Sequence, residues 1–342
     1  MNEFAARLLE WHDANARDLP WRGETDPYRI WVSEIMLQQT RAETVKGYYA
    51  RFLEAFPTVF DLSAAPQDRV LKLWEGLGYY SRARNLQAAA QMIAKEYGGA
   101  LPNTREGLLK LPGVGEYVSG AIASIAFGRR EPALDGNQAR VLTRIWDSDE
   151  VVKTPAQLYS RALELVPEER PGDYNQALMG LGALLCTPKN PRCGKCPVAV
   201  LCRACENGTQ EERPVKPPKR APKAIPVMLA LVMDGEGLLM RRRGAGMLAG
   251  MWEYPNFEGA RTRADLEAAL TETGIEAQFE SVLPEYRHVF THRIWQIKAC
   301  RYRLLSLAAD GDFIKIPWTE VEKLAVPAAF QPYTEIVRAL AE

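Results

Sequence analysis

ENGTQEERPVKPPKRAPKA, residues 206 to 224, divides this 342-residue chain into two textures. Four prolines block regular structure within it. Arg213, Lys216, Lys219, Arg220 and Lys223 cluster there with no acid after Glu212, so the stretch predicts an extended, basic linker. On its N-terminal side apolar residues recur at helical spacing, broken at Ala55-Phe56-Pro57, Tyr97-Gly98-Gly99 and Leu111-Pro112-Gly113. On its C-terminal side VMLALVM (227–233) and GLLMRRR (237–243) predict strands around the turn Asp234-Gly235-Glu236, and RIWQIKACRYR (293–303) partly alternates. One helix is expected near 263–273 and a closing helix after Pro327. The expected fold class is therefore multidomain, an all-α half followed by a small α+β half.

A chain of this length can bury a sizeable core and is expected to form two or three domains. Its 43 basic and 43 acidic residues leave no net charge, so a polyanionic partner would have to be met by segregated charge. Met1-Asn2-Glu3-Phe4 begins no basic leader followed by an apolar run, and nothing approaches the roughly 18 apolar residues of a membrane span. The chain is thus expected to be cytoplasmic, with no membrane partner. Six cysteines are few for this length, and Cys186, Cys193, Cys196 and Cys202 fall in one 17-residue stretch, spaced C-x6-C-x2-C-x5-C. That crowding reads as metal binding, not as a disulfide framework. Thiolate chemistry alone leaves zinc and an iron–sulfur cluster open, with zinc favoured. Cys205 and Cys300 read as ordinary free thiols.

Three further segments carry candidate chemistry. Leu111-Pro112-Gly113-Val114-Gly115 precedes a helical run, so its glycines stand where free backbone N–H groups at a helix start can hold a phosphate without reading a base. In PYRIWVSEIMLQQT, Ile30, Glu34 and Leu37 share one helix face, which sets a carboxyl on an apolar stripe where burial raises its pKa. In PALDGNQARVLTRI, Asp135 stands at a turn and helix start, where capping is the usual task of an aspartate.

WVSEIMLQQTRAETV, WEGLGYYSRARNL, LPGVGEYVSGAI and LDGNQARVLTRI follow one another in an order that resembles the MutY family of adenine DNA glycosylases, within the endonuclease III superfamily. The resemblance runs almost continuously over residues 1–205 and changes the weight of each reading. It implies a catalytic region at 1–205, with a six-helix module at about 24–127 carrying a helix-hairpin-helix. The N-terminus and 128–205 would then hold a [4Fe-4S] cluster on Cys186, Cys193, Cys196 and Cys202. It implies that Glu34 protonates adenine N7 and later activates water, that ionised Asp135 stabilises the oxocarbenium-like sugar, and that Tyr117 and Asn137 orient them. Gln39 and Tyr79 match positions that wedge into the base stack of an enzyme that extrudes its target. The hairpin residues Leu111, Gly113, Val114 and Gly115 would anchor phosphate, and Lys189, Arg192 and Lys195 would present charge to it. Lyases of this superfamily carry a lysine where Tyr117 stands, so the resemblance implies a monofunctional glycosylase.

Residues 225–342, after the 206–224 linker, resemble the Nudix-like domain of the same family. Ala268 and Thr271 stand where a magnesium-binding Nudix box needs acids, leaving Glu272, so pyrophosphatase activity is not expected. HVFTH, residues 288–292, resembles the loop that contacts 8-oxoguanine. His288 and Thr291 would supply hydrogen bonds and Phe290 apolar support, with His292 beside them; the family commonly has serine where Thr291 stands. The implied partner is double-stranded DNA with an 8-oxoguanine:adenine mispair, met by a monomer. An endonuclease III-like glycosylase and lyase for oxidised pyrimidines is the alternative.

Overall fold

The computed structural model describes residues 2–217, 221–244 and 246–341, the side chain of Ala341 excepted. Lys219 and Arg220 of the basic stretch, and Ala245, lie outside the described residues. The chain forms two compact units: Met1–Ala65 with Asn85–Pro218, and Pro66–Arg84 with Lys219–Glu342.

The first unit is helical, as its periodicity predicts. Its opening helix, Glu3–Asn15, starts where the Asn2 side chain accepts the Ala5 N–H at 2.8 Å. It turns Phe4, Leu8 and Leu9 onto Val141, Leu142 and Ile145 of the helix Gly136–Trp146 and onto Tyr174, Leu178 and Leu181 of the helix Pro171–Leu184. The helix Pro27–Leu37 begins with proline at its first position and Asp26 capping the Tyr28 N–H. Tyr28 through Met36, Arg29 excepted, are buried, because both its faces are packed.

Two glycines allow close approach of backbones. A Cβ on Gly120, in the helix Glu116–Ile125, would stand 2.2 Å from the Pro132 carbonyl oxygen. One on Gly172 would stand 2.8 Å from the Ile125 Cα. Asn175, fully buried, joins the same elements: it accepts the Ala133 N–H at 3.0 Å and donates to Ser124 Oγ at 2.9 Å and the Glu131 carbonyl at 2.7 Å.

The basic stretch after residue 206 is not uniformly extended. The helix Arg203–Asn207 runs into it, Val215 bridges to Val151, and Arg213 pairs with Asp147 at 2.9 Å.

In the second unit the strands are β1 (Lys223–Met233), β2 (Gly237–Arg242), β3 (Trp252–Glu253), β4 (Asn256–Glu258), β5 (Ile275–Val289), β6 (Arg293–Leu307) and β7 (Ile314–Pro317). They form a mixed sheet ordered β3-β2-β1-β6-β5, with β4 on β1 and β7 on β2. β1 and β6 run parallel, Lys223 opposite Arg293 through Met233 opposite Arg303. The continuous apolar run of β1 follows from cover on both faces. Val227, Leu229, Leu231 and Met233 meet Phe330, Tyr333 and Val337 beneath the closing helix Gln331–Ala341. Met228, Ala230 and Val232 meet Leu266 and Leu270 of the helix Arg263–Glu272. Between β1 and β2, Asp234 Oδ1 accepts the N–H groups of Glu236 and Gly237, which makes the expected turn. The segment Pro66–Arg84 is tied into this unit: Lys72 Nζ donates to the Leu324 carbonyl at 3.2 Å, and Glu75 Oε1 accepts the Val326 N–H at 3.2 Å.

Candidate active site

Glu34 lies on the helix Pro27–Leu37 at 5 % exposure, because its place on the apolar stripe carries it inward with Ile30. The Tyr117 hydroxyl, from the first turn of the helix Glu116–Ile125, donates to Glu34 Oε2. Asp135 caps the helix Gly136–Trp146, its Oδ1 accepting the Gln138 N–H at 2.7 Å and its Oδ2 accepting Asn137 Nδ2 at 2.8 Å. Capping and site-building are thus one task for this aspartate. Glu34, Tyr117, Asp135 and Asn137 line a single cavity, far apart in sequence as they are.

Burial raises the Glu34 pKa, against the Tyr117 hydrogen bond and the Arg22 charge, and the Asp135 charge raises it further. Burial also raises Asp135, against N–H groups from Gln138 and Asn137 that favour its anion. Tyr117 is driven well above the usual phenol range, first by burial and then by the two carboxylates, so it stays a donor. The two acids therefore differ in their partners: Glu34 sits with a phenol, Asp135 with a set of N–H donors.

The cavity also holds residues that no sequence pattern singled out. Arg22, Trp21, Gln176 and Met179 line it. Arg22 Nε is buried with no partner among the described residues, and the guanidinium lies where its charge acts on Glu34. A tryptophan and an arginine just ahead of the helix carry no periodic signal, and only packing brings them in.

At the hairpin, Gly113 has φ +77°, and a Cβ there would meet Asn85 at 2.6 Å. Gly115 caps the following helix with no side-chain hydrogen bond, and a Cβ built on it meets nothing within 4 Å. The space in front of the helix start is open. Leu111 and Val114 are buried, so what they offer a ligand comes from the main chain. Gln39 and Tyr79 both adopt left-handed backbone, φ 57° and 48°, which costs energy outside glycine and clusters at functional positions. Tyr79 is 47 % exposed.

Cys186, Cys193, Cys196 and Cys202 surround one cavity with Val141, Ile145, Leu181, Leu185 and Val198. Cys205, read from sequence as an ordinary thiol, lines it too. Burial and then the neighbouring thiolates push Cys193 up to about 11, while Cys196 is pushed up to about 12. So many sulfurs at one site are held as thiolates only by a strongly cationic guest. Zinc and an iron–sulfur cluster both suit such a thiolate set.

Buried arginines hold that loop. Arg144 Nη1 donates to Cys186 Sγ at 3.2 Å and to the Thr187 carbonyl at 2.8 Å. Arg140 Nε donates to the Cys186 carbonyl at 2.8 Å, and its Nη2 donates to Asn137 Oδ1 at 2.9 Å and the Gly182 carbonyl at 2.8 Å. Through Asn137, one guanidinium thus links Asp135 to the cysteine loop. Lys189, Arg192 and Lys195 are exposed.

In the second unit HVFTH forms the end of β5 and the tight turn into β6, where the Phe290 N–H meets the Arg293 carbonyl at 2.8 Å. The His288 and Phe290 rings meet edge-on at 4.6 Å, and Phe290 leans on buried Trp295 at 5.0 Å. Burial lowers the His288 pKa, which keeps the imidazole neutral with one donor and one acceptor. Thr291 and His292 are exposed, and Thr291 Oγ1 lies 3.2 Å from the Tyr79 hydroxyl. These residues share a cavity with Leu248, itself at φ 61°, and Arg84.

Comparison with known proteins places these features in families. Residues 32–168 match the HhH-GPD superfamily base excision DNA repair protein model, residues 186–202 the iron–sulfur binding domain of endonuclease III, and residues 227–335 the NUDIX domain. The chain is 37% identical over 372 residues to the adenine DNA glycosylase of Homo sapiens, covering 90% of this chain and 67% of that one. It is 33% identical over 338 residues to the adenine DNA glycosylase of Buchnera aphidicola subsp. Baizongia pistaciae, covering 98% and 95%. A solved thermostable thymine-DNA glycosylase superposes with a TM-score of 0.56 at 33% identity, covering 60% of this chain and 95% of that one. A non-covalent endonuclease III–DNA complex, at 24% identity and a TM-score of 0.52 over 60% of this chain and 95% of that one, shares the fold.

Proposed function

The chain belongs to the adenine DNA glycosylases, base excision repair enzymes that bind DNA and hydrolyse N-glycosyl bonds, and from that premise we propose that it removes adenine paired with 8-oxoguanine or guanine, as a monofunctional monomer. The observation that carries this reading is the buried pair, Glu34 under the Tyr117 hydroxyl and Asp135 among N–H donors, lining one cavity. Glu34, protonated because burial penalises its anion, gives its proton to adenine N7 and weakens the glycosidic bond. Asp135, kept ionised by its N–H donors, faces the positive charge that develops on the sugar. Glu34, now an anion, takes a proton from the water that completes hydrolysis. Tyr117 brings no amine, so no Schiff base forms there and the product is an abasic site.

The [4Fe-4S] cluster, held by Cys186, Cys193, Cys196 and Cys202, supplies structure to a loop too short of apolar residues to hold itself. The exposed Lys189, Arg192 and Lys195 then serve as phosphate contacts, beside the open helix start at Gly113 and Gly115. Gln39 and Tyr79 are assigned to the base stack, and His288, Phe290, Thr291 and His292 to the 8-oxoguanine base. The region 1–205 is assigned to catalysis, 206–224 to a linker and 225–342 to recognition, in a cytoplasmic enzyme that works at the nucleoid.

The test is single-turnover cleavage of a duplex with adenine opposite 8-oxoguanine, labelled on the adenine strand and analysed with and without alkali. Breakage of that strand only after alkali is expected, and none of an oxidised-pyrimidine duplex. Breakage without alkali at the oxidised pyrimidine would move the chain to the lyase branch. Thr291→Ala is expected to lower the preference for 8-oxoguanine over guanine opposite adenine about tenfold, the worth of one hydrogen bond of about 1.4 kcal/mol. An unchanged ratio of the two single-turnover rates would remove Thr291 from recognition.

A further inference from the structure

Between β2 and β3, Leu248 holds a backbone conformation for which its loop otherwise uses glycine. Gly246 and Gly250 take φ 101° and 77° with no side chain in the way, yet between them Leu248 takes φ 61°. A branched side chain rarely adopts that conformation, which persists only where surrounding contacts over-determine it. Here three guanidiniums do so. Arg243 Nε donates to the Met247 carbonyl at 2.9 Å, Arg84 Nη1 to the Ala249 carbonyl, and Arg242 Nε to the Gly250 carbonyl at 3.2 Å. Two of them are themselves held, Arg243 by the buried Glu253 carboxylate and Arg242 by Asp68 at 2.7 Å. The main chain closes the loop as well, the Gly250 N–H donating to the Arg243 carbonyl and the Arg243 N–H to the Met251 carbonyl, both at 2.8 Å. What all this presents is the Leu248 side chain. It is partly buried, packs with Phe290 on the core that contains Trp295, and lines the cavity of Tyr79, His288, Phe290 and Thr291. Glycine at 248 would make the same turn without strain, so the leucine is there for its side chain.

We propose that Leu248 is a further specificity-determining residue, an apolar wall that keeps water from the hydrogen bond between Thr291 and the oxidised base. The inference deepens the recognition reading given above and rests on it. A hydrogen bond discriminates between two bases only where water cannot replace a missing partner, because a group then left unpaired carries its full desolvation cost. In a wet cavity the threonine hydroxyl is satisfied whether 8-oxoguanine or guanine is present, and the difference between them fades. Phe290 brings one apolar surface from the turn between β5 and β6. Leu248 brings the second from the loop between β2 and β3, so the dry site is assembled from two elements.

The test compares single-turnover removal of adenine opposite 8-oxoguanine and opposite guanine by the full chain. Leu248→Gly, which suits the backbone, is expected to lower the ratio of the two rates about fivefold, less than the loss expected of Thr291→Ala. Leu248→Met keeps the apolar bulk and should hold the ratio within about twofold. A leucine that merely packs would lower both rates together and leave the ratio alone. In Leu248→Gly with Thr291→Ala the two losses should not multiply, since no hydroxyl is left to shield; a ratio lowered by their full product overturns the proposal. An unchanged ratio in Leu248→Gly beside a lowered one in Thr291→Ala overturns it too and leaves the recognition reading standing. Unchanged ratios in both single variants overturn that reading as well. Should Leu248→Gly fail to fold, Leu248→Asn decides, because asparagine tolerates positive φ and is polar: its ratio is expected to fall as far, and an unchanged one overturns the proposal.

Discussion

Glu34→Gln is expected to bind adenine-containing duplex as the unaltered chain does and to release base at least 10²-fold to about 10⁴-fold more slowly, the usual worth of a positioned acid. Glutamine keeps the shape and still accepts the Tyr117 hydroxyl, so the loss isolates the proton. The pH dependence carries a sign. Burial raises the Glu34 pKa, so the acid is present at lower pH and the rate falls as pH rises through that raised value. Asp135 must be ionised, so the rate also falls as pH drops through its own pKa, which burial has raised. The profile is a bell, and Glu34→Gln should remove its alkaline limb while leaving the acid limb that Asp135 sets. Base release within tenfold of the unaltered chain would remove Glu34 from the mechanism.

The same substitution is expected to stabilise the fold. A carboxyl whose pKa is raised on folding binds its proton more tightly in the native state than in the unfolded one. Below the ordinary carboxylate pKa both states are protonated and Glu34 costs nothing. Above the raised value the folded chain holds a buried anion, and stability has been lost. Glutamine removes that cost, so its gain should be absent in acid and reach about 1 kcal/mol above neutral pH, within the range of single substitutions. A variant less stable than its parent at pH 8 would contradict this account of Glu34.

Asn175→Ala is expected to destabilise the first unit by about 3 kcal/mol, since each buried polar group left unpaired costs about 1–3 kcal/mol. The side chain satisfies the Ala133 N–H, the Ser124 hydroxyl and the Glu131 carbonyl, and Asn175, Ala133 and Ser124 are all buried. Gln138 Nε2 also donates to the Asn175 carbonyl, at 3.1 Å, and the Gln138 N–H is the donor that holds Asp135. The variant should therefore lose rate as well as stability, with KM less affected than kcat. Urea unfolding followed by the visible absorption of the cluster reports on this unit alone. A loss below about 1 kcal/mol would show that the surrounding groups find other partners and that Asn175 is no hub.

Much of the architecture was legible because it rests on local chemistry. The helical half, the strand-rich half and the helix at 263–272 follow from the period of apolar residues, and the turn at Asp234 from an aspartate that bonds its own backbone. The placing of Glu34 on a buried helix face was likewise local, since Ile30, Glu34 and Leu37 fall along one side. Arg22 and Gln176 were not legible, because single polar residues in a loop or on a helix flank carry no period. The place of Cys205 beside the other cysteines was not legible for a related reason: spacing identifies four ligands, and nothing in spacing says that a fifth sulfur turns into the same cavity.

From the sequence by itself come the two-part division, the cysteine spacing and the capping role of Asp135, which depend on neighbours within a few residues. Only the tertiary structure decided that Tyr117 reaches Glu34 across 83 positions, that β1 pairs in parallel with β6, and that Pro66–Arg84 joins the second unit. It also decided the protonation preferences on which the chemistry turns. Desolvation belongs to the packed cavity and not to any residue in it, and a carboxyl becomes an acid near neutral pH only once distant parts of the chain have excluded water around it.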